Sequence, residues 1–106
     1  QTWKTAEPFG IADWSKTGDN FSIILKNNSF ETLTLKSVQV SPNDYRLALT
    51  ELVAPGAVVR VDISSENCPT GEEYTYSKSE ISLTYDSENI QGKRKFGVAD
   101  LSGMCN

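Results

Sequence analysis

Apolar residues recur at every second position through most of this chain, and that spacing constrains its fold more than any other feature. Phe21, Ile23 and Leu25 share one phase, as do Leu33 and Leu35, then Val59, Val61 and Ile63, and then Ile81, Leu83 and Tyr85. A strand packed on one face and wet on the other repeats every second residue, whereas a helix repeats about every 3.6. No long helix is legible.

Turn-forming clusters cut the alternating runs into short strands. Phe9 to Trp14 is a first strand, closed by the turn cluster Lys16-Thr17-Gly18-Asp19-Asn20. Phe21 to Lys26 is the next and ends at Asn27-Asn28-Ser29. Leu33 to Val40 follows, with a phase change at Lys36-Ser37 that marks a bulge. After the break at Ser41-Pro42-Asn43-Asp44, Tyr45 to Val53 carries Leu47, Leu49 and Leu52. Ala54-Pro55-Gly56-Ala57 is a turn, with Pro pre-setting φ and Gly able to take φ > 0. Val59 to Ile63 leads into a loop over Ser64 to Gly71 that holds Cys68. Tyr74 to Tyr85 switches phase near Lys78-Ser79, as a bulge or as two joined strands. Asp86-Ser87-Glu88-Asn89 and Gly92 form a hairpin loop, and Lys95 to Val98 closes the set.

About seven short strands at this spacing predict an all-β chain, an immunoglobulin-like antiparallel β-sandwich. At 106 residues it makes one domain, 1–106, with one core. The Cys-Trp-Cys order of antibody domains is absent, because Trp3 and Trp14 precede both cysteines.

The longest apolar run, Ile23-Ile24-Leu25, is far short of the roughly 20 residues of a spanning helix. Gln1-Thr2-Trp3-Lys4-Thr5 has no apolar stretch of the kind a secretory signal carries, so any targeting segment is expected upstream. A net charge of −4, with Lys93-Arg94-Lys95 as the one basic cluster, argues against a nucleic-acid partner.

Cys68 and Cys105 lie among small and polar residues, one at a turn and one near the C-terminal end, and read as a pair. The bridge would place the domain in an oxidising compartment and staple the last hairpin instead of pinning two sheets together. Two free buried thiols in a reducing compartment are the alternative. Asn20-Phe21-Ser22 and Asn27-Asn28-Ser29 match the N-x-[ST] pattern, which makes Asn20 and Asn27 candidate glycan acceptors.

The chain has no histidine, so the commonest general base and the commonest zinc ligand are both missing. No serine sits in a G-x-S-x-G elbow, and paired cysteines are not nucleophiles. Asp13, Glu31, Asp62, Glu72, Glu73 and Glu80 are formally available as a carboxylate pair, but they stand at turns or outward strand positions, where solvation explains them. Asp86-Ser87-Glu88-Asn89 and Asp19-Asn20 offer oxygens that suit calcium without matching a defined loop; such residues ordinarily bond their own backbone. No catalytic residue, metal or cofactor is assigned. Among the aromatics, Trp3 lies in a polar segment where a core role is not assured, and with Trp14 it is a candidate contact residue for a helix or a neighbouring subunit.

A family pattern is carried by several segments in order. They are Phe21 to Asn27, Leu33-Thr34-Leu35, the Ala54-Pro55-Gly56 turn, Cys68-Pro69-Thr70-Gly71 with Tyr74 and Tyr76, Ile81 to Tyr85, and Leu101-Ser102-Gly103-Met104-Cys105. From about Phe9 to Cys105 the chain resembles the exposed domains of archaeal type IV pilin-like proteins exported with class III signal peptides. The resemblance implies an immunoglobulin-like head, often glycosylated, on an extracellular cell-surface filament. It also implies that copies of the subunit associate through an apolar N-terminal helix. That helix is not within residues 1–106, so Gln1 is expected to be a boundary set either by truncation or by processing. A secreted carbohydrate-binding or adhesion module, with surface glycans as ligand, is the rival, and a small glycoside-active enzyme the third.

Overall fold

The computed structural model describes residues 2–40 and 46–106. The break expected at Ser41-Pro42-Asn43-Asp44 and the start of the following strand at Tyr45 lie outside the described residues. The chain is all-β and antiparallel, as the alternation predicts, with eight strands among the described residues. They are β1 (Phe9–Asn27), β2 (Leu33–Gln39), β3 (Arg46–Val53), β4 (Val58–Cys68), β5 (Glu73–Tyr76), β6 (Ser82–Asp86), β7 (Lys93–Phe96) and β8 (Leu101–Met104). Single 3-10 turns occupy Trp3–Thr5 and Lys78–Glu80. One sheet has the order β3-β2-β6-β7; β1 pairs with β4, and β5 with β8.

The core joins the inward faces of these sheets. Phe21, Ile23 and Leu25 of β1 and Val61 and Ile63 of β4 form one cluster with Leu33, Leu35 and Val38 of β2 and Leu83 and Tyr85 of β6. Each such side chain contributes about 1.5–3 kcal/mol by leaving water. Leu47 and Leu49 pack against this core, but Leu52 points to solvent.

The extended run of β1 doubles back on itself. Nineteen residues at about 3.3 Å each would exceed the longest dimension of the molecule, 43 Å. Moreover, the Asn28 N–H donates to the Pro8 carbonyl at 2.8 Å, so the two ends meet. Gly18, at the midpoint with φ of 59°, stands opposite Cys68. The reversal expected over Lys16 to Asn20 is thus present, inside a continuous extended run.

Strand β4 continues through Cys68, where a loop is expected from Ser64 onward. Three of its residues, Ser65 to Asn67, stand against Asp19 alone, and this wide irregularity hides the strand from a period-two reading. At Lys36 the expected bulge is present: Leu35 faces Tyr85, Ser37 faces the adjacent Thr84, and Lys36 is the extra residue.

The phase switch near Lys78-Ser79 separates two strands in different sheets. The β5–β8 and β6–β7 ladders have registers offset by a single residue, so 73–104 form one long interrupted hairpin. At the break the Ser77 carbonyl accepts from the Glu80 N–H (2.9 Å), Asp100 accepts from the Lys78 N–H (2.8 Å), and the Gly97 N–H donates to the Ile81 carbonyl (2.9 Å). A side chain at 97 would collide with the Lys78 carbonyl, so this crossing requires glycine. The hairpin accounts for the eighth strand: Leu101 is the only fully buried residue of Leu-Ser-Gly-Met, too little pattern to be read.

Trp3 corrects an expectation. It is 2 % exposed, a core residue, and its Nε1 donates to the Ala99 carbonyl at 2.7 Å. Its polar neighbours suggested exposure, but the 3-10 turn directs the indole inward while Thr2, Lys4 and Thr5 stay in water.

Candidate functional site

Three loops gather at one end of the molecule, because β1 ends, β2 begins, β3 ends, β4 begins, β6 ends and β7 begins there. They are residues 28–32, 54–57 and 87–92, joined by the segment 4–8. Asn27 organises two of them. Its Nδ2 donates to the carbonyls of Val53 and Glu31, both at 2.8 Å, and its Oδ1 accepts from the N–H and hydroxyl of Ser29. Its main chain bonds Ala57 and Gly56 across the turn expected at Ala54 to Ala57. Asn28 holds the N-terminal segment by donating to the carbonyls of Lys4 and Ala6. The segment read as a glycosylation pattern is therefore a structural bracket. Asn27 is wholly buried and both of its Nδ2 hydrogens are engaged.

Between these loops lies an open cleft of about 370 Å³, lined by Glu7, Ser29, Glu31, Tyr85, Ser87 and Lys93. Glu31 accepts the Glu88 N–H at 3.1 Å while Glu88 accepts the Thr32 N–H at 3.4 Å, a reciprocal clip between the first and third loops. Burial raises the Tyr85 hydroxyl pKa, and the nearby Glu31 carboxylate raises it further. Lys93 Nζ stands 5.9 Å from the Tyr85 ring centre. Two carboxylates, an ammonium and three hydroxyls, beside Pro8 and Leu33, suit a hydroxylated ligand held by hydrogen bonds. Phe30, fully exposed, and Ile90 project from the surrounding loops. Of the oxygens considered for calcium, Asp86 accepts the Gly92 N–H, and the Ser87 hydroxyl bonds Ile90.

The opposite end is built on the disulfide. Cys68 and Cys105 are bonded with Cα atoms 6.0 Å apart. The bridge joins the end of β4 to the residue after β8, so it links two different sheets as well as holding the long hairpin. Backbone bonds from Gly71 to Cys105, Cys105 to Glu72 and Asn106 to Lys16 close this end.

Beside it lies a group that sequence reasoning missed. Lys16 is 3 % exposed, and its Nζ donates to the Ser65 hydroxyl at 2.6 Å and the Tyr76 hydroxyl at 2.8 Å. The ammonium is also 5.3 Å from the Tyr76 ring centre. Among the described residues the ion pair formed is Arg60 with Asp62, on the outer face, so hydroxyls and an aromatic ring solvate the buried Lys16. A lysine inside a turn-like cluster gives no signal of burial. Trp14 is half-buried and donates from Nε1 to the Ser102 carbonyl at 3.0 Å, which fixes it against β8.

The outer face of β1 and β4 carries a polar cluster. Asp62 Oδ1 accepts from Ser22, Asn20 and Arg60. The Ser22 hydrogen bond pulls the Asp62 pKa below the ordinary aspartate range; partial desolvation opposes it, and Asn20 and Arg60 add to it. Asn20, the other candidate acceptor, sits here half-exposed and donates to the Ser22 hydroxyl at 3.1 Å. Of the other carboxylates considered, Asp13, Glu72 and Glu73 are exposed, and Glu80 is bound to Ser77.

No family model matches the chain, and no curated protein matches it.

Proposed function

We propose that this chain is the non-catalytic, solvent-facing head of an extracellular filament subunit, with an immunoglobulin-like sandwich as its architecture. The observation that carries this reading is the anchoring of the N-terminal segment. Trp3 is buried and bonded to Ala99, and Asn28 grips Lys4 and Ala6. An assembly helix joined ahead of Thr2 would meet the domain at a stiff joint, as a head held in fixed relation to a filament core needs. The disulfide fits an oxidising, extracellular setting, and the half-exposed Asn20 fits a glycosylated surface. The test is immuno-electron microscopy with an antibody against the folded domain. Labelled cell-surface filaments that vanish when the gene is deleted are expected; label on soluble material alone would overturn the reading.

The loop-end cleft favours a second reading, a carbohydrate-binding or adhesion module. Its test is a glycan array, where saturable binding lost on Glu31→Ala or Phe30→Ala is expected, and the absence of any bound glycan counts against it.

A further inference from the structure

Strand β7 is an outer strand of the four-stranded sheet, and its sequence Lys93-Arg94-Lys95-Phe96 places three cations in a row within a chain of net charge −4. The Gly97 N–H donates to Ile81, so by antiparallel alternation Lys95 and Lys93 also turn their main-chain groups toward β6. Arg94 and Phe96 therefore turn theirs outward. Their side chains share the exposed face, with the Arg94 guanidinium 5.4 Å from the Phe96 ring centre.

Strand β5 is the complementary edge. Its partner β8 also runs alongside β1, which leaves β5 on the outside of that ribbon. The Cys105 N–H donates to the Glu72 carbonyl at 2.8 Å, so Glu72, Tyr74 and Tyr76 face β8 with their main chain, and Glu73 and Thr75 face outward. Glu72 and Glu73 are exposed.

Basic residues on an edge strand ordinarily guard it against pairing. Here that guard is selective. Two β7 edges cannot meet, since cation would face cation, but a β7 edge and a β5 edge carry opposite charge, and among the described residues no partner engages the outward N–H and C=O groups of either. We propose that the outer edge of β7 receives the outer edge of β5 from a second copy of this chain, extending the sheet head to tail. Opposing Arg94 to the Glu73 position of the second copy pairs charge with charge on the exposed face. Because the two edges differ, the contact is heterologous and leaves one of each unused, so association continues beyond a dimer, into a ring where the rotation closes and an open chain where it does not. This rests on the two edges and not on the filament reading, and it holds whether or not a helix lies upstream.

Sedimentation velocity on the 106-residue chain tests it. Average mass is expected to rise with concentration at low ionic strength and to fall back in high salt. The triple variant K93E/R94E/K95E and the double variant E72K/E73K should each stay monomeric alone, since each carries like charges on both edges. Mixed in equal amounts they should associate, because each then meets its opposite. Thr75→Pro, which removes one outward N–H of β5 and none of its bonds to β8, should also suppress association. Wild type that is monomeric up to about 1 mM, a charge variant or Thr75→Pro that associates like wild type, or a mixture that stays monomeric would each overturn the proposal.

Discussion

The ammonium of Lys16 and the hydroxyl of Tyr76, sixty positions apart, lie 2.8 Å from each other inside the protein. The contact ties the reversal of β1 to β5, and Ser65 in the irregular part of β4 completes it at 2.6 Å. Replacing Lys16 with Met keeps the apolar stem but leaves two buried hydroxyls without their donor. A loss of about 2 kcal/mol is expected in urea unfolding. Adding Ser65→Ala and Tyr76→Phe should recover part of that loss, because both hydroxyls are then removed and only the part-buried Asp19 carbonyl, which accepts from Ser65 at 3.3 Å, loses a donor. Additive losses in the triple variant would show that the three do not act together.

The disulfide closes a loop with a sequence separation of 37. In the chain-entropy model such a bridge contributes up to about 4 kcal/mol by restricting the unfolded ensemble. The double variant Cys68→Ser/Cys105→Ser should lose most of this in guanidinium unfolding. A change below about 1 kcal/mol would mean that the backbone bonds around Gly71, Glu72 and Asn106 hold this end unaided.

The two asparagine patterns should part company. In a host that glycosylates N-x-[ST], mass spectrometry should find glycan at Asn20 and none at Asn27. Asn27→Ala should cost about 2–3 kcal/mol, because the carbonyls of Val53 and Glu31 and the groups of Ser29 lose their partner. Asn20→Ala, on the outer face, should stay within about 0.5 kcal/mol. Glycan on Asn27 of the folded domain would contradict the buried bracket.

Asp62 gives a pH prediction. Its pKa is lowered first by the Ser22 hydroxyl, so its contribution to stability is present above the unfolded-chain value and is lost as pH falls through the folded-state value. The group is half-exposed, and solvent screening keeps that contribution small. Ser22→Ala should move the Asp62 titration upward in an NMR pH series; an unmoved midpoint would assign the shift to Asn20 and Arg60 instead.

These residues also show what a sequence exposes. Phe21-Ile23-Leu25 and Val59-Val61-Ile63 announce their strands because one face is buried and the other wet. The bulge at Lys36 is legible because the alternation breaks there, and the turn at Gly56 because Pro and Gly mark it. Trp3, Lys16 and Asn27 are not legible in the same way. Each is buried by a partner distant in sequence or by a local turn that inverts a polar segment, and neither leaves a periodic trace. Leu101 to Met104 fails for a related reason: its strand exists because Gly97 lets the long hairpin cross and continue.

If the domain is a filament head, the codons immediately before Gln1 encode a short basic stretch and a processing site, followed by roughly 20 or more apolar residues. Reading that sequence is the measurement to make. A long apolar helix running into Thr2 and Trp3 is the predicted result. A cleavable secretory signal alone, or a second folded polar domain, would contradict it and leave the binding module as the better reading.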